Sequence, residues 1–382
     1  MITPQHNLLG LTQKELIDFV LSLGESSYRG GQMFRWLYTR GATDIQSMTD
    51  LGKSFRERLD KVATVHGLRL VKQMKSPQDG TTKFLFGLYD DLKIETVLIP
   101  PSSAFQNQEA AMEDEQKRLT VCISTQVGCP LDCKFCATAS MGSKRNLSVG
   151  EIVDQILQVK RLTGKRITNI VFMGMGEPML NYDNVIKSVE IITAGMGLAA
   201  RRITISTAGW AEKIRQLGDQ KWRTKLAVSL HSAVDETRTR LMPINKKYNL
   251  HALISAVEYY YSKTKQRITY EHIFFDGVND TEKEVKHLVK LARRVPCKIN
   301  VIPYHSIAFT APAGLAASLR PSPRMGEIVE RLRASNLNVF VRSSAGADIK
   351  AACGQLAVHM ERHRKRQPSI SNLASTEIGI AG

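Results

Sequence analysis

The sequence has no long hydrophobic run. Segments rich in apolar residues, such as 92–100 and 299–304, are only as long as β-strands, far short of the roughly 18 residues that a membrane-spanning helix needs. The N-terminus also lacks the basic start and apolar stretch of a secretory signal. We therefore expect a cytoplasmic protein without a membrane partner, whose six cysteines are reduced.

Acidic residues are scarce relative to basic ones. The 36 Asp and Glu are outnumbered by 53 Lys and Arg, which gives a formal net charge of +17. Such an excess favours a polyanionic partner, and nucleic acid is the common one in the cytoplasm. With 43% hydrophobic residues in a chain of 382, the composition excludes disordered and collagen-like proteins and predicts two domains, or one large domain with an appendage.

The pattern of the chain changes along its length. We expect a helical domain over residues 1–65, a β-strand linker region over 66–117, a core over 118–350 and a C-terminal segment over 351–382. The core alternates strands and helices, which is typical of a parallel sheet. Its predicted strands are 119–124, 167–173, 202–206, 226–229, 268–274 and 299–303, with a seventh at 339–342. Six units are too few for an eight-stranded barrel and predict a partial (β/α)6 barrel.

Three cysteines follow the first core strand with C-x3-C-x2-C spacing: Cys129, Cys133 and Cys136. A structural zinc site completed by a distant cysteine or histidine is one interpretation. No second C-x2-C pair supports it, because Cys297 and Cys353 are distant and isolated. Three thiolates on a [4Fe-4S] cluster would instead leave one iron free for a substrate.

At these residues the chain resembles the radical S-adenosylmethionine (SAM) superfamily. The triplet has the family's aromatic residue, Phe135, before its last cysteine, and a Gly-Glu segment at 173–178 ends the second strand. The resemblance implies a [4Fe-4S] cluster on the three cysteines and SAM as cofactor.

Further segments are similar to one family within that superfamily, the RlmN-type adenine C2-methyltransferases of 23S rRNA and tRNA. They are residues 121–129, 205–209, 227–231, 243–248, 297–303 and 348–356. The resemblance implies methylation of C2 of an adenosine in the peptidyl transferase centre of 23S rRNA, and of the adenosine 3' of the anticodon in tRNAs. It also implies two SAM per turnover, a methylcysteine intermediate and a 5'-deoxyadenosyl radical. The alternatives are a Cfr-like adenine C8-methyltransferase and a zinc-stabilised RNA-binding protein without catalysis.

The resemblance also assigns roles to single residues. Cys353 is the expected methyl carrier, Cys122 the resolving thiol that forms a transient disulfide with it, and Glu95 the proton acceptor. The implied SAM contacts are Gly176, Glu177, Ser206, Ser229, Leu230, His231 and His305. His305 stands where the family usually has asparagine. By pattern alone, Glu95 would be a solvated strand residue, and His231 could be a core histidine.

The implied partners are 23S rRNA, tRNA and a cellular electron donor such as flavodoxin. We expect a monomer. Basic residues of the N-terminal domain, Arg201-Arg202, Lys246-Lys247 and the run at 362–366 would jointly neutralise RNA phosphates.

Overall fold

The computed structural model describes residues 6–101, 118–220 and 223–358. Nearly all of the polar segment at 101–117 and the whole basic run at 362–366 lie outside these ranges. No helix of the described residues is long and apolar enough to cross a membrane.

Three helices form the N-terminal region: α1 (Gln13–Ser22), α2 (Tyr28–Phe34) and α3 (Lys53–Val62). The strands β1 (His6–Asn7) and β2 (Ala63–Thr64) pair beside them. Helix α1 begins at a capping box, where the Thr12 side chain accepts from the Glu15 backbone N–H. Thr39 Oγ1 donates to the Gly195 carbonyl at 2.8 Å, so this region is attached to the rest of the protein.

One ten-stranded sheet organises the remainder of the chain. Its first strands are β3 (Arg69–Lys75), β4 (Thr82–Gly87) and β5 (Lys93–Ile99), followed by β6 (Thr120–Cys122), β9 (Asn169–Phe172), β10 (Ile203–Thr207), β11 (Lys225–Ser229), β12 (Ile268–His272), β13 (Cys297–Val301) and β14 (Val339–Val341). From β6 to β14 the neighbours are parallel and adjacent in chain order. This confirms the partial barrel and its late strand.

The three earliest strands extend this sheet in the antiparallel sense. Strand β5 pairs with β6, where Val97 faces Cys122, and β4 and β3 follow outward. The β-rich region before the core is therefore continuous with the barrel sheet. A separate ribbon of β7 (Gln126–Gly128) and β8 (Ser143–Asn146) carries the cysteine loop.

Helices follow most of the parallel strands. They are α4 (Val149–Thr163), α5 (Tyr182–Gly195), α6 (Ala211–Asp219), α7 (Asp235–Leu241), α8 (Leu250–Thr264), α9 (Glu282–Ala292), α10 (Leu315–Ser318) and α11 (Met325–Ala334). Helix α4 begins at a capping box of Ser148 and Glu151 and ends at Gly164 in the left-handed region. Buried side chains of the helices and strands form one continuous hydrophobic core, which leaves the carboxyl ends of the strands to hold the site.

Candidate active site

The cysteine loop is fixed at its start by a close backbone approach. Gly128 has φ of +78°, and a Cβ there would lie 1.8 Å from the Gly142 carbonyl oxygen. The Cys129 N–H donates to that same oxygen at 2.9 Å. Only glycine fits at this position, so the backbone at the start of the cysteine loop is tightly constrained.

Cys129, Cys133 and Cys136 line one cavity, which we call the cluster cavity. Burial raises the pKa of Cys129 to about 12 and also raises the pKa of Cys133 and of Cys136. Bound cations favour the thiolate form of such buried cysteines, and the iron of a cluster would supply that charge.

The three cysteines fit the cluster that the resemblance implies by their donor chemistry. Cysteine thiolates are the usual protein ligands of iron–sulfur clusters, and Cys129, Cys133 and Cys136 line the same cavity. Three thiolates would leave one iron of a [4Fe-4S] cluster free for another ligand.

The turn after β9 passes close to the first core strand. A Cβ on Gly174 would lie 2.7 Å from the backbone of Ile123, and one on Gly176, at φ of +99°, would lie 2.6 Å from Gln126. Glu177 follows and is buried. Its carboxylate accepts from the backbone N–H groups of Ala208 at 2.8 Å and Met179 at 3.1 Å. The two glycines therefore set the place of one buried carboxylate.

The expected SAM contacts divide between two places. Gly176, Glu177, Ser206, Ser229 and His231 line the cluster cavity. Leu230 is buried beside them, with its N–H donating to the Glu271 carbonyl at 3.0 Å. His305 instead lines a neighbouring cavity, and its buried Nε2 has no hydrogen-bond partner within the described residues.

His231 is buried, but it also belongs to the wall of the cluster cavity. Its Nδ1 accepts from the Ile273 backbone N–H at 3.1 Å, and burial lowers its pKa. A neutral imidazole that accepts at Nδ1 carries its proton on Nε2. His231 can therefore offer one N–H donor.

The second cavity, which we call the cysteine-pair cavity, is lined by Cys122, Cys353 and His305. Four residues line both cavities: Met173, Ile302, Arg342 and Cys353. Cys353 thus lies in the wall between the cluster cysteines and Cys122. Burial raises the pKa of Cys122 to about 12, and Cys353 raises it further while Arg342 opposes both.

The segment that carries Cys353 is tied to the cysteine loop. Ala137 N–H donates to the Gly354 carbonyl at 2.7 Å, and Thr138 Oγ1 donates to the Leu356 carbonyl at 2.7 Å. On its other side, the Gly346 N–H donates to Asp79 Oδ2 at 2.8 Å. Cys353 is therefore held between the cysteine loop and the antiparallel extension of the sheet.

Glu95 is buried on β5 and lines neither of the two cavities described above. Its Oε1 pairs with Lys83 Nζ at 3.0 Å, and its Oε2 accepts from the Ala357 N–H at 3.1 Å. Burial raises the pKa of Glu95, and the Lys83 ammonium opposes that rise. The structure thus excludes the solvated strand residue that the alternation pattern favours.

Two arginines that the sequence did not single out organise the strand ends. Arg238 is fully buried on α7 and donates to the carbonyls of Ala208 at 2.7 Å and Ser229 at 3.1 Å. Arg342 Nη1 lies 3.5 Å from Glu271 Oε2. Neither arginine belongs to a local sequence pattern that would single it out. Each binds residues of other strands, and a local pattern does not show such contacts. The motif Asp-Glu-Thr-Arg at 235–238 gives no hint of such a buried cation.

The basic side chains of the N-terminal region are of two kinds. Arg35, Arg40, Lys53 and Arg58 are exposed, as expected for an RNA-binding face. Arg29 and Arg56 are partly buried and donate to backbone carbonyls at 3.1 Å and 2.6 Å. These two stabilise the fold.

Near the cluster cavity, exposed Lys247 lies over an aromatic side chain. Its Nζ is 4.2 Å from the centre of the Trp210 ring, and the Tyr248 ring is 5.5 Å from that of Trp210. Ala208 and Met242, which line the cluster cavity, lie close in sequence to these residues. A cation beside aromatic rings suits phosphates and unstacked bases.

Comparisons with known proteins match most of the chain. Residues 6–65 match the model of the ribosomal RNA large subunit methyltransferase N-terminal domain, and residues 123–292 match that of the radical SAM superfamily. The chain is 43% identical over 350 residues to the dual-specificity RNA methyltransferase RlmN of Syntrophobacter fumaroxidans, covering 90% of this chain and 96% of that one. It is 40% identical over 358 residues to a probable RlmN of Flavobacterium psychrophilum, covering 92% and 97%.

A solved structure is similar as well. It is a radical SAM methyltransferase from Sphaerobacter thermophilus, with a TM-score of 0.81 and 39% identity. The match covers 92% of this chain and 99% of that chain.

Proposed function

Because this chain belongs to the RlmN family of dual-specificity RNA methyltransferases, we propose that it methylates C2 of one adenosine in 23S rRNA and of the adenosine 3' of the anticodon in tRNAs. It is a radical SAM enzyme that uses a [4Fe-4S] cluster and SAM. C2 of adenine lies between two ring nitrogens and has no lone pair, so ordinary polar transfer of the SAM methyl group is not available.

One observation carries the mechanism: Cys353 lines both the cluster cavity and the cysteine-pair cavity. A methyl carrier must meet SAM on one side and a resolving thiol on the other. In this proposal the Cys353 thiolate first takes a methyl group from one SAM. When bound, the cluster and a second SAM supply the one-electron chemistry that removes a hydrogen atom from this methyl group.

Residues of the cluster cavity hold the cofactors in this scheme. Cys129, Cys133 and Cys136 bind the cluster, and Glu177 binds the SAM amino group. Gly176, Ser206, Ser229, Leu230 and His231 complete the SAM site, supported by their place in or beside the cavity wall. The resemblance also assigns His305 to the SAM site, but His305 lines the cysteine-pair cavity and not the cluster cavity.

Cys122 resolves the bond between protein and RNA. The Cys122 thiolate attacks the Cys353 sulfur, the bond from that sulfur to the methylene carbon breaks, and its electron pair passes to the carbon, which takes up a proton. The product is 2-methyladenosine together with a Cys122–Cys353 disulfide that an external two-electron reductant must open. Before Cys122 attacks, the methylene radical on Cys353 adds to C2 and Glu95 accepts the C2 proton. The ring also gives up the one unpaired electron left by this addition, for which the bound cluster would be the acceptor.

The proposal extends to partners and organisation. The N-terminal domain at residues 1–65 binds RNA, which is supported by the family match over 6–65. The region at 66–117 links this domain to the radical SAM core at 118–350. The C-terminal segment at 351–382 carries Cys353. Exposed cations such as Lys246 and Lys247 neutralise RNA phosphates. We propose a monomer that works in the cytoplasm and receives electrons from a small donor such as flavodoxin.

Mass spectrometry of nucleosides from 23S rRNA and tRNA, from cells with and without the protein, tests the function. We expect 2-methyladenosine only where the protein is present. Detection of 8-methyladenosine instead would identify a Cfr-like activity. Anaerobically purified protein should hold about four irons per chain and consume SAM with dithionite, whereas a colourless zinc protein would contradict catalysis.

A further inference from the structure

Lys83 and Glu95 form a buried ion pair within the antiparallel extension of the sheet. Strands β4 and β5 place Leu85 opposite Glu95 and Lys83 opposite Val97, so the pair is diagonal on one face. Lys83 Nζ lies 3.0 Å from Glu95 Oε1, and the two side chains are only 6% and 7% exposed.

The same pair also holds the segment of Cys353 at both ends. Lys83 Nζ donates to the Lys350 carbonyl at 3.0 Å, and Glu95 Oε2 accepts from the Ala357 N–H at 3.1 Å. These contacts lie three residues before Cys353 and four residues after it. The position of the carboxylate is thereby fixed relative to the methyl carrier.

Stability alone does not explain a buried ion pair, since apolar residues of similar size often stabilise a fold as well or better. Lysine suits this place for another reason. Its compact ammonium has three donors, so it can bind a carboxylate and a backbone carbonyl together.

Lys83 supplies the positive charge that faces Glu95 among the described residues. The other groups around Glu95 are neutral: the Ala357 N–H, the Ser124 hydroxyl on the Glu95 carbonyl at 2.6 Å, and Met175 Sδ, which accepts from the Glu95 N–H at 3.4 Å. Burial alone would favour the protonated carboxyl. The ammonium opposes this and keeps the group able to accept a proton.

We propose that Lys83 is a positioning residue for proton removal from the RNA, which holds the Glu95 carboxylate ionised and oriented beside the segment of Cys353. The inference rests on the proposed function, in which Glu95 is the acceptor. In that step the methylene carbon is already bonded to C2, the C2 proton passes to a Glu95 oxygen, and the electron pair of the C–H bond stays in the ring. The ring also gives up the one unpaired electron left by the radical addition, for which the bound cluster would be the acceptor.

Four variants and a control test this role, and one of the four is Glu95→Gln alone. Lys83→Met removes the charge, Lys83→Arg keeps it, and Lys83→Met with Glu95→Gln removes both members of the buried pair, so that no unpaired charge is left to unfold the protein. The control is Lys72→Met, an exposed lysine on β3. The probe is a transcript of the peptidyl transferase region of 23S rRNA, given to the reconstituted holoenzyme.

Two steps are measured separately: methylation of Cys353, by the mass of its peptide, and resolution of the protein–RNA adduct, on denaturing gels. We expect Lys83→Met to methylate Cys353 normally but to resolve the adduct about 100-fold more slowly, at the lower end of what a general base contributes. In Lys83→Met, loss of the ammonium raises the pKa of Glu95. The rate of adduct resolution should therefore increase over a higher pH interval than in the wild type. Lys83→Arg should restore most of the rate.

The double variant should be no slower than Glu95→Gln alone, since a residue that acts through Glu95 adds nothing once Glu95 is gone. Additive losses would overturn the inference, as would wild-type resolution in Lys83→Met or an equal loss in both measured steps. If Glu95→Gln alone resolves the adduct at the wild-type rate, the assignment of Glu95 itself fails, which is a separate result.

Discussion

The cluster cavity takes its metal-binding side chains from one short loop, whereas the cysteine-pair cavity is closed by residues far apart in the sequence. Cys129, Cys133 and Cys136 lie within eight residues. The Cys353 segment is fixed by contacts such as Lys83 to Lys350 and Glu95 to Ala357, which span 267 and 262 residues. A local loop can be recognised from spacing, but a cavity made by long-range contacts requires the fold.

Cys353→Ala should have the largest effect, because it removes the thiol that lines both the cluster cavity and the cysteine-pair cavity. We expect no detectable 2-methyladenosine, while the cluster and dithionite-dependent cleavage of SAM persist. Nucleoside mass spectrometry, iron content and methionine release measure the three properties. Cys297→Ala is the matched control, since Cys297 is buried elsewhere and donates to the Ala292 carbonyl. Sustained RNA methylation by Cys353→Ala would contradict the carrier role.

Cys122→Ala should leave the cluster cavity working and disable the other cavity at its last step. Methylation of Cys353 and attack on RNA proceed, but the thioether between them stays unresolved. We expect a covalent protein–RNA adduct that survives denaturing electrophoresis and disappears on nuclease treatment. If free methylated RNA is released over many turnovers, Cys122 is not the resolving thiol.

Gly128→Ala tests whether the backbone at the start of the cysteine loop is needed for cluster binding. The added Cβ would meet the Gly142 carbonyl oxygen at 1.8 Å, at a positive φ, where a side chain costs about 1–2 kcal/mol even without a clash. We expect a lower iron content and a lower free energy of unfolding, measured by iron analysis and urea titration. Gly326→Ala is the control because its Cβ would enter open space. If Gly128→Ala binds its full complement of iron, the loop can adopt another backbone conformation and still hold the cluster.

Lys247→Ala tests the exposed cation beside Trp210 and should have the smallest effect. Loss of one phosphate contact should weaken RNA binding several-fold and lower the salt slope of the affinity by about one. Filter binding at several salt concentrations measures both, with exposed Lys290 changed to Ala as control. An unchanged slope would remove Lys247 from the RNA interface.

The sequence predicted the parallel strands, the late strand and the cysteine loop, because each has a local pattern. It did not predict that β5 pairs antiparallel with β6 and so joins the two regions into one sheet. Nor did it predict the burial of Glu95, since alternation along one strand says nothing of a distant segment that covers its outer face. Lys83, Arg238 and Arg342 were missed for the same reason: their partners come from other strands.

The residues that fix the Cys353 segment have a consequence for biosynthesis. Asp79, Lys83, Glu95 and Thr138 all precede the segment in the chain. During translation the cysteine loop is complete more than two hundred residues before Cys353 is added. Under the proposed roles, a nascent or prematurely terminated chain has all three cluster ligands but lacks the methyl carrier Cys353. We therefore expect only chains that are translated nearly to the end to methylate RNA.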